Sequence, residues 1–444
     1  MINLFDHYNQ LSWDLHFSLI SSGYKNPTIV LNDDGFLPND VTSPYLFYLG
    51  YDVEDYSPLY YNQVAVPDYW EIIGTNTDAF VYDLAEKKAH ISYSNPSHRR
   101  FVKEVDWLDH NGNVLVKDCY NKSGYRFAQK SYNKESKLVQ TTYFNAIGQS
   151  VIVENHTTGD ILLTQEDKEF VFKQKVDFVS HYLRDAQFDL SAIFYNSLAT
   201  PFLVSYYLAK PGKDVLFWNE PIRQTIPGNM MALLEQKSRP TKIIFQDWQA
   251  FQKAQQLLSP QYKNQIDFLG FMYPNKRQNQ LTANAFVLTN SDQIEGLEQI
   301  IRELPELNIA IGAITEMSPK LMALAQYQNV TLYPNIATPK VEELYQDCDI
   351  YLDINQFNEI LTAVRTAFEH NQVILAFKST AHQPKFTAKE HIVEDGHIAD
   401  MIKQLKLLIK DEQAFRNAVE MQRFKDISSL PQDYQEKVGA FYDA

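Results

Sequence analysis

A chain of 444 residues, 45% hydrophobic and 21% charged, is too long for one core and too apolar for disorder, which predicts two or three globular domains. Its formal net charge of -15 excludes nucleic acid and a broad grip on anionic lipid, because phosphate partners need a surplus of Lys and Arg. The two cysteines, Cys119 and Cys348, lie far apart in unlike contexts and fit a reducing compartment better than a disulfide scaffold.

The opening MINLFDHYNQLSWDL carries acidic residues and no apolar signal core. No apolar run approaches the ~18 residues of a membrane span, so the cytoplasm is the expected compartment. A helix is predicted from Ser12, as its cap, to a stop at Gly23, followed by the strand TIVL and the loop Asn32-Asp33-Asp34-Gly35. That is an α/β beginning. The Tyr-rich stretch 45–61 reads as core edge or subunit interface.

From about 79 to 175 the pattern changes to short β-rich runs, among them AHISYSN, NVLVKDCY, YRFAQKSYN and QSVIVEN. The turns between them recur with a period of 12: Asp109 to Gly112, Asn121 to Gly124, Asn133 to Ser136 and Asn145 to Gly148, with His156 to Gly159 one residue early. Asn, Asp and Gly at the ends of each tetrapeptide supply hairpin geometry, so the segment is predicted to be an antiparallel meander. Val116, Asp118 and Tyr120 alternate with Lys117 and Cys119, which predicts one face that is wet or awaits another surface.

After 178 the α/β pattern returns with AIFYNS, DVLFWNE, TKIIFQDW and QIDFLGF, apolar runs suited to buried parallel strands. The polar PNKRQNQLT (274–282) reads as a linker. Beyond it, strands AFVLT, NIAIGAI, VTLYPN, DIYLDIN and QVILAF alternate with helices, the first over 293–304, and 397–422 reads as one amphipathic tail. Regular βα alternation predicts a doubly wound parallel sheet. The expected division is a first lobe over 1–60 and 179–275, a β-meander domain over 61–178, and a second lobe with C-terminal helices over 276–444.

These two Rossmann-like lobes, the linker, and the phrase from NVTLYPNIATPKVEELYQDCDIYLDIN into QVILAF resemble the retaining two-lobed GT-B glycosyltransferases. The inserted meander resembles the extended β domain of the paired O-GlcNAc transferases that modify serine-rich repeat adhesins in Gram-positive bacteria. Within such pairs the whole chain is similar to the stabilising, acceptor-binding GtfB-type subunits rather than to the catalytic GtfA-type. The resemblance implies a GT-B-like α/β fold whose lobes face a cleft, and no cofactor. Its implied partners are a GtfA-type catalytic subunit, in a hetero-oligomer of the heterotetramer kind, and a Ser/Thr-rich adhesin polypeptide as acceptor. The implied setting is the cytoplasm, peripheral to the inner face of the membrane, before export by the accessory Sec route.

Active relatives hold the nucleotide-sugar with an Arg and a Lys just after the first strand of the second lobe, and with two glutamates in an E-x7-E element. Here the strand runs into Thr289-Asn290-Ser291-Asp292-Gln293-Ile294-Glu295 without a cation, and the glutamate positions fall on Asn358 and Thr366. Shifting the frame to Glu359 pairs it with Ala367. Asn290, Glu295, Asn358 and Thr366 therefore mark a degenerate donor site with no catalytic residue. Two other readings stay open: an active UDP-GlcNAc-dependent transferase, and a stabilising chaperone that binds no acceptor.

Ligands of open α/β sheets lie beyond the carboxyl ends of the strands. Those ends supply the acceptor candidates Asn32, Asp34, Asn196, Trp218, Glu220 and Trp248 in the first lobe, and Asn290, Glu316 and Asn355 in the second. Amides donate to and accept from peptide groups, and indoles cover pyranose faces. His90, His98, His156 and His181 lack metal-ligand spacing, no GxSxG, HExxH or Walker sequence occurs, and Gly228 and Gly312 are isolated.

Overall fold

Hydrophobic runs at both ends of the N-terminal half converge on one parallel sheet. In a computed structural model of the protein, which describes residues 1–51, 57–166, 168–424 and 428–443, this sheet has seven strands. From one edge to the other they are Ile266–Phe268, Thr241–Phe245, Asp214–Trp218, Ile193–Tyr195, Ile2–Phe5, Thr28–Val30 and Val41–Thr42. Ile2–Phe5, which the sequence reading passed over, is wholly buried and central, with Leu4 opposite Ile29 on one side and Tyr195 on the other. The helix after it spans Gln10–Ser21, and its cap is Asn9 rather than Ser12. Asn9 Oδ1 accepts from the Ser12 amide at 3.0 Å, while the Ser12 hydroxyl turns back to the His7 carbonyl at 2.6 Å.

One ion pair pins the far side of this lobe. Arg239 and Asp214, 1% and 0% exposed at the side chain, meet at 2.6 Å. Asp214 also takes the Ser205 hydroxyl, and Arg239 donates to the carbonyls of Leu190 and Lys210. With those bonds satisfied the buried charges are compensated.

The meander forms a ten-stranded antiparallel sheet with its strands in chain order from Glu71–Gly74 to Lys168–Phe172. Its turns follow one device: Asp109, Asn121, Asn133 and Asn145 each accept amide hydrogens two and four residues on. Ser136 holds φ 57° where the other turns place glycine. The fifth turn is anchored by Asn155, not His156, since the Asn155 carbonyl and side chain take the amides of Gly159 and Thr157.

The predicted alternation is present, but its polar member is not wet. Asp118 is 5% exposed and accepts from Trp107 Nε1 and Gln129 Nε2, both at 2.8 Å. On the opposite face, Cys119, Ala128, Tyr143, Ile152 and Leu163 stand as successive cross-strand partners. This row packs in the same core as Tyr45 and Phe178. The meander is therefore fused to the first lobe through one of its faces. Tyr45 and Tyr51 of the Tyr-rich stretch serve that seam, through bonds to Glu154 and the Phe144 carbonyl, while Tyr48 bonds Asp185 on the lobe's own helix Lys175–Asp185. Residues 52–56 of that stretch lie outside the described residues.

The second lobe has a six-stranded parallel sheet ordered Val330–Tyr333, Asn308–Ala313, Asn284–Thr289, Ile350–Asp353, Val373–Phe377, Ile392–Val393. This is the doubly wound order expected of the βα pattern. Its first helix starts at Leu297, four residues later than the pattern suggests, because Gly296 adopts φ 65° at the cap. The tail is two helices, Ile398–Lys410 and Glu412–Phe424, parted at Asp411.

Two compact units result, one of Met1–Phe268 with the terminal stretch from Gln432, the other of Leu269–Pro431. The terminal helix Pro431–Asp443 thus joins the first unit, which a single second-lobe span of 276–444 did not anticipate. Tyr434 is buried there, and Tyr442 Oη donates to the Lys213 carbonyl at 3.0 Å. Both cysteines are free and buried. Among the described residues no helix is long and apolar enough to cross a membrane.

Candidate functional site

Where the meander meets the carboxyl ends of Ile2–Phe5 and Thr28–Val30, the first unit encloses a cavity of about 560 Å³. Asn32 and Asp34, both predicted from sequence, line it together with Tyr45, Glu154 and Lys175. Glu154 accepts from Tyr45 Oη at 2.5 Å and from Tyr143 Oη at 3.4 Å, and the two tyrosine rings stack with centroids 4.3 Å apart. Burial, reinforced by the Glu154 carboxylate, raises both phenols well above their usual range. Lys175 donates to Asn32 Oδ1 at 2.8 Å, and burial lowers its ammonium below the ordinary lysine value. Asp34 pairs with Lys103 at 2.6 Å.

Trp218 and Glu220 line a different cavity, of about 580 Å³, at the end of Asp214–Trp218 with Ile222 and Arg223. The Trp218 indole is 6% exposed, and its buried Nε1 has no hydrogen-bond partner among the described residues. Asn196 and Trp248 belong to neither cavity. Asn196 is spent locally, accepting from the Asp6 amide and donating to Ser12 Oγ. Trp248 begins the helix Trp248–Leu257 and packs on Phe251 and Phe268. The six first-lobe candidates therefore do not form one site.

In the second unit, Asn290, Glu295, Asn355 and Asn358 gather at the ends of two adjacent strands, Asn284–Thr289 and Ile350–Asp353. Asn355 is 3% exposed, accepts from Thr289 Oγ1 at 2.9 Å and donates to the Asn358 carbonyl at 3.3 Å. Glu295 takes Gln356 Nε2 at 2.6 Å. Thr366 lies inside the helix Ala363–Glu369 and donates to the Thr362 carbonyl at 3.0 Å. Glu359, the alternative-frame carboxylate, accepts from the Val364 amide at 2.9 Å and from Gln383 Nε2. Lys320 reaches the loop but donates to the Asp292 carbonyl at 3.0 Å. Glu316 is exposed in the loop after Asn308–Ala313.

Sequence reasoning missed His382, whose Nδ1 lies 2.5 Å from Asp353 Oδ1 and whose Nε2 meets the Phe357 carbonyl. The hydrogen bond it donates to the Asp353 carboxylate raises its pKa above the usual 6.5. It missed Lys175 and Glu154 as well. One signal was available for Glu154: it shares strand parity with Ile152, so a charge stands on the apolar face.

Family models match four successive segments: GtfB N-terminal domain over 2–48, GtfB middle domain over 70–173, GtfB third domain over 175–257, and GftB/GlyA-F C-terminal domain over 285–422. The UDP-N-acetylglucosamine–peptide N-acetylglucosaminyltransferase stabilizing protein GtfB of Streptococcus agalactiae is 41% identical over 100% of both chains. That of Streptococcus gordonii is 43% identical over 95% of this chain and 94% of its own. A chain in the crystal structure of a GtfA/B complex bound to UDP and GlcNAc superposes with TM-score 0.93 at 42% identity, covering 99% of each. The pneumococcal O-GlcNAc transferase GtfA, at 12% identity and TM-score 0.50 over 100% of this chain and 99% of that one, shares the two-lobed fold alone. With two of these relatives above 40% identity over nearly their whole length, the chain belongs to the GtfB family of peptide N-acetylglucosaminyltransferase stabilizing proteins.

Proposed function

We propose that this chain is the non-catalytic subunit of a protein O-GlcNAc transferase. It binds a Ser/Thr-rich adhesin polypeptide and stabilises a GtfA-type subunit, which transfers GlcNAc from UDP-GlcNAc to Ser or Thr. The observation that carries the reading is the full-length match, at 42% identity, to a chain of a GtfA/B complex. Under this reading the complex works in the cytoplasm, peripheral to the inner membrane face.

The state of the second-unit strand ends supports the absence of catalysis. Glu295, Glu359, Thr366 and Lys320 are each committed to a partner within the lobe. Asn358 offers an amide where a carboxylate would hold the donor. His382 is held between the Asp353 carboxylate and the Phe357 carbonyl, leaving neither nitrogen for a phosphate. Acceptor binding then falls to the polar strand ends, with Asn32, Asp34, Trp218 and Glu220 in the first unit and Asn290 and Glu316 in the second. Asn196, Trp248 and Asn355 act behind them by holding local structure. The meander, one face committed to the lobe, offers its remaining surface to the catalytic partner.

Titrating the purified chain with UDP-GlcNAc and then with an unmodified Ser/Thr-rich peptide tests the reading. Peptide binding without donor binding is expected. Donor binding with turnover would make the chain an enzyme, and binding of neither would leave only a chaperone.

A further inference from the structure

Resting on the acceptor reading, we infer that the cavity between the first lobe and the meander is a second holding point for the acceptor polypeptide. There an uncharged amide or hydroxyl of the bound chain bridges Lys175 and Glu154. The inference starts from two charges that share a cavity without touching. Glu154, 8% exposed, receives only tyrosine hydroxyls, and the nearest group able to pair with it among the described residues is His156 Nε2 at 3.9 Å. Lys175 has three ammonium donors and among the described residues spends one in a hydrogen bond, on Asn32, with the Tyr45 ring centroid 5.6 Å from its Nζ. It forms no ion pair among the described residues, although it lines the same space.

A ligand completing both groups must accept from Lys175 and donate toward Glu154. Amides and hydroxyls do both. An anion would face the carboxylates Asp33, Asp34, Glu104, Glu154 and Asp160, against which the walls set only Lys130 and Lys175 as permanent cations. A cation, though drawn by the carboxylate excess, accepts no hydrogen bond from Lys175 and so cannot complete both groups. Thr141 and His156, joined at 2.8 Å, add a further hydroxyl and imidazole to the wall. The volume of about 560 Å³ falls within the range of ~300–1,000 Å³ usual for specific ligand pockets.

The position suits a chain rather than an isolated residue. Because the sheet is parallel, this cavity and the one holding Trp218 and Glu220 open at the same strand ends. The strands Asp214–Trp218, Ile193–Tyr195, Ile2–Phe5 and Thr28–Val30 are consecutive neighbours. Three inter-strand spacings make about 14 Å, which an extended peptide crosses in about four residues. A Ser/Thr-rich segment lying along the sheet edge therefore reaches both.

The test measures affinity of the full-length chain for unmodified Ser/Thr-rich peptides of about two residues, too short to span the two cavities, and about twelve residues, with Lys175→Met, Lys175→Arg and Thr141→Val as variants. Loss of a bond to a charged donor should weaken binding of the longer peptide about tenfold or more in Lys175→Met, with partial recovery in Lys175→Arg. The short peptide, unable to occupy both cavities, should bind more weakly than the long one and lose less. Thr141→Val, which removes a wall hydroxyl and keeps β-branching, asks the same question should the lysine variants fail to fold. If wild type binds the long peptide and all folded variants bind it equally, the second holding point is wrong and the acceptor reading stands. If wild type binds neither peptide, the acceptor reading itself fails. Competition by millimolar inorganic phosphate would overturn the neutral-ligand assignment.

Discussion

The phenol of Tyr45, on the short helix Pro44–Leu49, donates to the carboxylate of Glu154, on the meander strand Ser150–Asn155, at 2.5 Å across 109 residues of sequence. Both partners are buried, so neither can turn to water if the other is lost. Tyr45→Phe keeps the ring stack with Tyr143 but strips a charge-assisted bond, and should destabilise the first unit by about 2 kcal/mol. Tyr143→Phe, whose hydroxyl lies 3.4 Å away, should cost less than half as much. Urea denaturation of the two variants beside wild type measures both.

Arg239→Met leaves Asp214 buried without its cation, and an expected loss of about 3–5 kcal/mol follows from an uncompensated interior charge. The same site makes Gly212 intolerant of a side chain, since an added Cβ would strike the Arg239 guanidinium and the Ser191 carbonyl. Gly212→Ala should therefore lower the melting temperature even though the glycine has an ordinary backbone φ. A calorimetric midpoint equal to wild type for either variant would show that the pair does not hold the lobe.

Acidification should loosen the first unit through His16. The ring is 4% exposed, with Nδ1 2.8 Å from Tyr8 Oη and Nε2 3.0 Å from Thr28 Oγ1. Desolvation lowers its pKa from 6.5, with Asp40 opposing. The unfolded chain then takes the proton first, so this contribution is complete above about pH 6.5 and is lost as pH falls toward the depressed folded value. The loss can reach about 1.4 kcal/mol per pH unit within that window. Comparing urea midpoints at about pH 7.5 and 5.5, wild type should fall further than His16→Gln.

Installing glutamates by Asn358→Glu and Thr366→Glu should not create a donor site. Two carboxylates would return, but the loop after Thr289 still lacks free cations, and the one that reaches it, Lys320, is tied to Asp292. The missing charged contacts leave donor affinity on the order of a thousandfold or more below that of a working site. Calorimetric titration of UDP-GlcNAc into the double variant should show no heat beyond dilution, and micromolar binding would refute the degenerate-site argument.

Periodic features of the chain were legible in its residues, because each strand and turn of the meander is decided by contacts within a few neighbours. The twelve-residue turn ladder and the βα alternation of the second lobe both belong to this class. What escaped depended on partners far away in sequence. Ile2–Phe5 is too short to show periodicity and owes its place to strands at Thr28 and Ile193. The terminal helix returns to the first unit through contacts such as Lys242 Nζ with the Lys437 carbonyl at 2.9 Å. Strand-end reasoning singled out Asn32 and Trp218 by their place at the carboxyl ends of strands, yet it could not foresee that they line separate cavities. Lys175 and Glu154 became visible only when the meander was laid on the lobe.

The turn ladder also decides how the meander can change in size. Neighbouring strands run in opposite directions, so losing a single repeat would reverse everything downstream and detach the Cys119 to Leu163 row from its seat. Loss or gain of two repeats together restores the direction of travel and keeps the same side toward Tyr45. Yet each ladder strand gives one member to the Cys119 to Leu163 row, so even such a paired change resizes the seam together with the sheet.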